Sequence, residues 1–217
     1  MAIHFFDLSC KFSNYLWAAK NGGIFGGNKT IYSIDANISI PLRCIYLIYI
    51  TMIGHPIVYE TLERMQIEFD YYEHPEAPTI EIAAQFYRGE GTTLCKNLFF
   101  RNHKGNRHYL VIMDSRFPMD IHDMEHRLRQ GKLSFASPER MMRYLGVKPG
   151  NVSLFTLVND AAHEVTLFID QGLMQAERVA FHPNDNRASL VISRDDMMRF
   201  AEQIGNPYEV VELYARE

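Results

Sequence analysis

A lysine and an asparagine at the start of an apolar stretch carry the most distinctive chemistry in the sequence. Lys96 and Asn97 lie in an apolar and aromatic run, residues 94–101. A polar segment with Gly105 separates this run from a second one, residues 107–113, and the pattern predicts a β-hairpin. An ammonium group beside an amide at a strand end can hold a phosphate or a carboxylate at the edge of a cleft. On local chemistry alone, a solvated lysine is the simpler interpretation.

Two other segments carry groups suited to binding an anion or facing a pocket. Residues 148–155 include Gly150, and their backbone amides could form a concave, anion-accepting turn, although such turns are common. His182 lies between a predicted strand and Pro183, so its backbone is fixed while its ring can face a pocket. The competing interpretation is that His182 only satisfies local backbone groups.

A pair of histidines has the spacing of zinc ligands but lacks the rest of a site. His122 and His126 stand four residues apart on a predicted helix. Asp123 stands where the metalloprotease pattern has glutamate, and no third ligand is evident, so a solvated helix face explains the pair better. The sequence therefore predicts neither a metal site nor a cofactor.

An alternation of helices and strands must position these groups. From Val58 to Phe69 apolar residues recur at three- and four-residue spacing, which predicts an amphipathic helix. Caps, prolines and glycines indicate further helices, and β-branched runs indicate further strands. The additional predicted helices are 78–86, 120–130, 138–145 and 194–204, and the additional strands are 69–73, 164–169, 178–181, 188–192 and 208–213. Strands interspersed among helices indicate a mixed α/β fold.

Composition favours one domain without a broad nucleic-acid surface. The chain has 217 residues, 47% of them hydrophobic, which suffices for one well-buried domain, and a second full domain is not expected. A net charge of -4 and a pI near 6.1 argue against DNA binding through a basic face, while local contact with one end of a nucleic acid stays open. The cysteines, Cys10, Cys44 and Cys95, are too far apart for a disulfide framework or zinc knuckle, and we expect a reducing cytoplasm.

The first 51 residues are poorly patterned and contain no identifiable chemistry. Residues 38–53 are strongly apolar, but the run is too short to span a membrane and Arg43 interrupts it. We predict a domain boundary at Met52, with residues 52–217 as the functional domain and residues 1–51 disordered or not translated. The alternative is that the apolar run 45–53 packs on the domain or on a partner.

Four segments, in this order, resemble the YbaK-like superfamily, which includes the editing domain of bacterial prolyl-tRNA synthetases. They are Pro78-Thr79-Ile80-Glu81, Cys95-Lys96-Asn97-Leu98-Phe99-Phe100, Pro149-Gly150-Asn151-Val152-Ser153, and Phe181-His182-Pro183 through Asn186. The resemblance covers roughly residues 54–213 and is greatest to the free-standing prolyl-tRNA deacylases, which remove alanine from mischarged proline tRNA. One departure is Leu154, which stands where many members have the proline of a Gly-x-x-x-Pro loop.

The resemblance implies an α/β (α+β) fold in which helices surround a mixed, bifurcated or barrel-like sheet. It also implies that Lys96, Gly150 and His182 are catalytic. Lys96 would hold the terminal phosphate, backbone amides around Gly150 would face the ester carbonyl, and His182 would orient the terminal adenosine or the aminoacyl group. The implied substrate-binding residues are Thr79, Asn97, Asn151, Val152, Ser153 and Asn186.

The implied activity is hydrolysis of an aminoacyl-tRNA ester, with no covalent intermediate. Strand alternation points Cys95 away from Lys96, and no Gly-x-Ser-x-Gly elbow is present, so no side-chain nucleophile is evident. The implied partners are the acceptor end of aminoacylated tRNA and, transiently, prolyl-tRNA synthetase or an elongation factor. Two alternatives are kept: an inactive tRNA- or synthetase-binding adaptor, and a cysteinyl-tRNA deacylase on the same fold.

Overall fold

The computed structural model describes residues 52–86 and 88–214. Over these residues helices and strands alternate along the chain. The α-helices are α1 (Pro56–Arg64), α2 (Ile80–Ala83), α3 (Ile121–Leu128), α4 (Pro138–Leu145) and α5 (Arg194–Gln203). The strands are β1 (Asp70–Glu73), β2 (Thr92–Asn102), β3 (His108–Asp114), β4 (Leu133–Phe135), β5 (Val165–Asp170), β6 (Arg178–Phe181), β7 (Ala188–Ser193) and β8 (Tyr208–Val211). Two 3₁₀ helices, η1 (Leu154–Asn159) and η2 (Gln171–Gln175), complete the elements.

One mixed sheet connects all eight of these strands. Its order is β1-β7-β6-β2-β3-β5-β8, and β4 pairs with β2 beside that path. The pairs β2–β6, β3–β5 and β5–β8 are parallel, and the other pairs are antiparallel. The sheet is bifurcated because β6 and β4 pair with different parts of β2, and over the described residues it stays open instead of closing into a barrel.

The central hairpin forms as its sequence predicts. β2 and β3 pair in antiparallel register from Cys95 opposite Asp114 to Arg101 opposite His108. Asn102 stabilises the turn, because its side-chain oxygen accepts hydrogen bonds from the following backbone at 3.1 and 3.2 Å. The turn also uses a left-handed residue, Gly105, at φ +71°.

The hairpin contributes to a hydrophobic core on each face of the sheet. Because side chains alternate along a strand, Phe99 joins one cluster while Phe100 joins the other. The larger cluster also receives α1, η1 and α5. The smaller one receives Met124 and Leu128 of α3. Two-sided burial explains why β3 is buried along its whole length.

The structure confirms the predicted order of the main elements and changes several boundaries. The helix expected over residues 58–69 ends at Arg64, and the one expected over 78–86 is a single turn, Ile80–Ala83. Strand β4 was not predicted, since three residues are too few to show a period. The loop expected through Phe155 instead enters η1 at Leu154. No helix among residues 52–86 and 88–214 is long and apolar enough to cross a membrane.

The first described residues pack on the turn that contains His182. His55 N–H donates to the carbonyl of Pro183 at 3.0 Å, and Met52 and Ile53 pack against the larger core cluster. Gly54 lies so close to Pro183 that any side chain would overlap the proline ring. The domain boundary at Met52 stays a prediction, since residues 1–51 lie outside the described residues.

Gly54→Ala is expected to destabilise the domain by about 2–5 kcal/mol. Its Cβ would lie 2.7 Å from Pro183 side-chain atoms, and φ +133° disfavours any side chain. Gly131→Ala is the matched control, because Gly131 has φ +74° but open space around it, and about 1–2 kcal/mol is expected there. Urea unfolding of both variants measures the difference. Equal losses would contradict tight packing at Pro183.

Candidate active site

A cavity of about 380 Å³ opens where the sheet divides. The parallel pairing of β2 with β6 ends at Leu94, and the antiparallel pairing with β4 begins at Phe100. Between these two residues, within the described chain, this edge of β2 has no paired strand. The cavity occupies the gap, so strand residues 94–99 form part of its wall.

Backbone groups of Asn97 are directed toward this open edge. The carbonyl of Leu94 accepts from Ser115 N–H on the β3 side, whereas the carbonyl of Phe99 accepts from Ala136 N–H on the opposite side. The N–H and C=O groups of successive residues point to opposite edges of a strand. Those of Asn97 therefore point to the same edge as those of Phe99, away from β3. An unpaired strand edge offers both a donor and an acceptor to a ligand.

The cavity brings together most of the residues predicted from sequence. Those that line it are Lys96, Gly150, His182, Thr79, Asn97, Val152 and Asn186. Asn151 and Ser153 belong to the same loop but do not line the cavity. The Ser153 hydroxyl is fully buried and caps η1 by accepting from Phe155 N–H at 3.4 Å. The side-chain oxygen of Asn151 is buried without a hydrogen-bond partner among the described residues.

Lys96 provides an ammonium group at the cavity wall. Its Nζ donates to the carbonyl of Phe117 at 2.7 Å, which leaves two of its three donors for an anion. Glu81 is near enough that the charge of Lys96 contributes to the lowered pKa of its carboxyl group, after a backbone amide and the Thr79 hydroxyl. Thr79 also caps α2, since its hydroxyl accepts from Ile82 N–H.

Asn97 joins the hairpin to the glycine loop. Its Oδ1 accepts from Leu154 N–H at 3.1 Å, and its Nδ2 donates to the carbonyl of Cys95 at 3.4 Å. Proline has no N–H, so the bond to residue 154 depends on the departure from the Gly-x-x-x-Pro pattern. In this chain the amide of Asn97 therefore fixes the distance between β2 and η1.

Position 150 requires glycine because of its backbone conformation and not because a side chain would lack space. Its φ of +88° lies in the left-handed region, whereas a Cβ would make only ordinary contacts with Asn186 and Pro78. Asn151 N–H donates to the carbonyl of Lys148 at 3.1 Å and closes the turn. This turn places Gly150 and Val152 on the cavity wall.

His182 is neutral at pH 7. Burial lowers the pKa of its ring to about 4, against weaker opposing effects from the Val152 backbone and the Asp185 carboxylate. Its Nδ1 is buried and has no hydrogen-bond partner among the described residues. A neutral ring with so low a pKa is a weak proton acceptor, so its chemistry favours orienting a bound group over general-base catalysis.

Sequence reasoning missed a buried cation beside the cavity. Arg88 is 6% exposed, and no carboxylate among the described residues forms an ion pair with it. It donates to the carbonyls of Ala83 and Phe86 and, at 2.8 Å, to the Ser189 hydroxyl. Burial lowers its pKa to about 10, so the guanidinium stays charged at pH 7. A buried positive charge at this wall favours negative charge in the cavity.

Ser189 and His74 continue the hydrogen-bond network from Arg88. Ser189 Oγ lies 3.0 Å from His74 Nε2, and His74 Nδ1 lies 2.8 Å from the carbonyl of Pro75. A proton on Nδ1 leaves Nε2 as the acceptor for Ser189. The Ser189 hydroxyl accepts from Arg88 and donates to His74, so the network connects the buried cation to the His74 ring at the cavity wall. Nothing in the sequence around Arg88 signals this network, since Ser189 is 101 residues away.

The cysteine next to Lys96 is not an activated nucleophile. Cys95 is buried, and burial together with the nearby Asp114 charge raises the pKa of its thiol well above the ordinary value. A thiol nucleophile requires the opposite shift. The sequence-based exclusion of Cys95 therefore has a physical basis in the fold.

Comparison with known proteins identifies the family. The model of the aminoacyl-tRNA editing domain matches residues 74–200, a range that contains every residue named above for the site. The chain belongs to the aminoacyl-tRNA editing domain family. A relative from Acetoanaerobium sticklandii, named prolyl-tRNA editing protein ProX, is 36% identical over 152 residues, which cover 70% of this chain and 93% of the relative.

A second relative and a solved structure are also similar to this chain. The prolyl-tRNA synthetase associated domain-containing protein 1 of Danio rerio is 30% identical over 146 residues, 66% of this chain and 79% of that protein. A crystal structure described as that of a candidate trans-editing enzyme for prolyl tRNA synthetase has a TM-score of 0.55 at 21% identity, covering 71% of this chain and 94% of the other. That structure supports the editing-domain fold alone.

His182→Gln is expected to reduce the pH dependence of stability. With a native pKa of about 4 and an unfolded pKa near 6.5, the unfolded chain binds more protons between these values. The stabilisation by neutral His182 is thus full above about pH 6.5 and is lost as pH falls toward 4. In this window His182 contributes a slope of at most about 1.4 kcal/mol per pH unit.

Urea unfolding at pH 7, 6 and 5 measures this slope. His108→Gln is the matched comparison, because burial also lowers the pKa of His108 to about 4 and His108 does not line the cavity. In each variant, the change of the free energy of unfolding with pH should be smaller by the contribution of one histidine. An unchanged slope in His182→Gln would contradict the lowered pKa.

Proposed function

We propose that this editing-domain protein hydrolyses the ester that joins an amino acid to the 3′ end of tRNA, with alanine on proline tRNA as its main substrate. The observation that carries the proposal is one cavity, at the divided edge of β2, lined by Lys96, Gly150 and His182 from three separate segments. The name of the Acetoanaerobium sticklandii relative, a prolyl-tRNA editing protein, supports proline tRNA.

The proposed reaction requires a positioned water and stabilisation of an oxyanion. Lys96 holds the terminal phosphate, and the backbone amides of Gly150 and Val152, the two loop residues that line the cavity, face the ester carbonyl. The buried charge of Arg88 adds to stabilisation of the oxyanion. Water attacks the carbonyl carbon, the ester C–O bond breaks, and the ribose oxygen leaves with a proton, so the products are free amino acid and tRNA.

The proposal needs no covalent intermediate. The Cys95 thiol is buried, and burial raises its pKa, so it is not an activated nucleophile. The neighbouring ribose hydroxyl directs the water, and His182, which is neutral, orients the aminoacyl end. Asn97 holds the glycine loop at the correct distance through Leu154. Thr79, Val152 and Asn186 complete the substrate-binding wall.

A separate hydrolase is useful because a synthetase site shaped for proline cannot strongly exclude a smaller apolar amino acid. Each excluded methylene is worth about 1–3 kcal/mol of discrimination. A second, smaller pocket can reject proline by size and accept alanine. The proposed partner is accordingly the acceptor end of charged tRNA, with prolyl-tRNA synthetase or an elongation factor as transient partners, in the cytoplasm.

Release of amino acid from separately charged proline tRNAs tests the proposal. Purified protein is incubated with proline tRNA that carries alanine, cysteine or proline, and the free amino acid is followed over time. Alanine should be released at least tenfold faster than proline. Faster release of cysteine would instead support the cysteinyl-tRNA deacylase. Binding without any release would support the inactive adaptor and overturn the hydrolase.

Lys96→Ala is expected to lower kcat/KM by about tenfold or more, because one phosphate contact is lost. The dependence of log KM on log salt should also weaken by about one unit. Lys104→Ala is the matched control: it removes the same charge from an exposed residue in the turn of the same hairpin, and it should change kcat/KM less than twofold. Similar effects in both variants would contradict a specific role for Lys96.

A further inference from the structure

Phe135 is the most exposed large hydrophobic side chain in the described part of the chain. Its side chain is 51% exposed, ahead of Met142 at 49% and Tyr208 at 38%. A single exposed apolar residue needs no explanation by itself. Phe135 differs because it borders the cavity that also contains Lys96, whereas Met142 and Tyr208 do not.

The ring of Phe135 is held in place from one side. It stacks on the fully buried ring of Phe100, with centroids 4.7 Å apart and planes 30° apart. The two residues are also register partners in the β2–β4 pair. A ring fixed by backbone pairing and by a buried neighbour loses little freedom when a ligand stacks on it.

Strand geometry places Phe135 in line with Lys96. Lys96, Leu98 and Phe100 are alternate residues of β2, so their side chains share one face of the strand. Lys96 and Phe100 are four residues apart, roughly 13 Å at 3.3 Å per residue. An extended lysine side chain and one nucleotide together can span this distance. Leu98 and Met141 line the same cavity and provide apolar surface between the two ends.

We propose that Phe135 is the stacking platform for the terminal adenine of the tRNA. This inference rests on the proposed function, which supplies a substrate with a 3′-terminal adenosine. A phosphate at Lys96 and a base on Phe135 fix both ends of the terminal nucleotide. The ester then lies over the open edge of β2 at Asn97, and His182 is left to contact the aminoacyl group. Phe135 is a positioning residue, and it favours an ester whose alcohol carries a base over an ester that lacks one.

Fluorescence binding tests the stacking directly, without catalysis. The probe is an RNA hairpin with the acceptor-stem sequence of proline tRNA that ends in 2-aminopurine, and a second hairpin lacks the terminal base. Phe135→Ala should weaken binding of the first hairpin by about tenfold and leave binding of the second within twofold. Phe135→Trp should restore both the affinity and the fluorescence quenching.

Tyr208→Ala is the matched control, because Tyr208 is an exposed aromatic residue on β8, at the edge of the sheet away from the cavity. It should bind both hairpins as the unmodified protein does. Thermal unfolding of Phe135→Ala confirms that it folds. Equal weakening for both hairpins, or an unchanged Kd for the first one, would overturn the stacking role; equal weakening would point to a structural or protein-docking role.

Kinetics separate this inference from the proposed function. With alanyl-tRNA, Phe135→Ala should lower kcat/KM about tenfold, and Phe135→Trp should recover it. With the 2′(3′)-alanyl ester of 1-O-methylribose 5-phosphate, which keeps the neighbouring hydroxyl and the phosphate but has no base, Phe135→Ala should match the unmodified protein. If no protein releases alanine but the binding difference persists, stacking stands and hydrolysis fails. If alanine is released and Phe135→Ala shows no difference with either substrate, hydrolysis stands and stacking fails.

Discussion

The divided pairing of β2 is the constraint on which the rest of the structure depends. A strand has two edges, and β3 occupies one edge along most of the length of β2. The other edge is shared by β6 at its start and β4 at its end. The residues between them face neither strand, and the cavity follows from that gap. Bifurcation of the sheet and formation of the site are therefore one structural event.

The gap persists because several side chains hold the surrounding segments apart. The Asn97 side chain accepts a hydrogen bond from Leu154 N–H at the start of η1. Arg88 donates to two backbone carbonyls at and after the end of α2 and to the Ser189 hydroxyl on β7. Each is a buried or half-buried polar group, and removing its partners would leave an unsatisfied donor or acceptor. The polar network around the cavity thus maintains the space that an apolar core would fill.

Burial also determines the charge of the groups that face the cavity. The same low-polarity surroundings that make His182 neutral act on Arg88, whose intrinsic basicity keeps it charged. Lys96 is half-buried and adds its ammonium group at the cavity wall. The cavity therefore combines two positive groups with a neutral imidazole, which suits an anionic substrate and an oxyanion more than a mechanism that transfers a proton through histidine.

The sequence by itself determined the local elements and the residues most worth attention. Turn and strand patterns predicted the β2–β3 hairpin, and the cap signals predicted α4 and α5, because such signals act within a few residues. Motif order selected Lys96, Gly150 and His182. The sequence did not predict the short strand β4 or the shortness of α2, because tertiary packing sets the limits of both elements.

Tertiary structure alone decided which of these residues share a cavity and in what chemical state. Phe135 becomes a cavity residue only when β4 pairs with Phe100, and Arg88 becomes a buried cation only when β7 brings Ser189 to it. The lowered pKa of His182 likewise comes from burial by distant segments. These environments form when strands that are far apart in the sequence pair with each other. The spacing of residues along the chain does not predict that pairing.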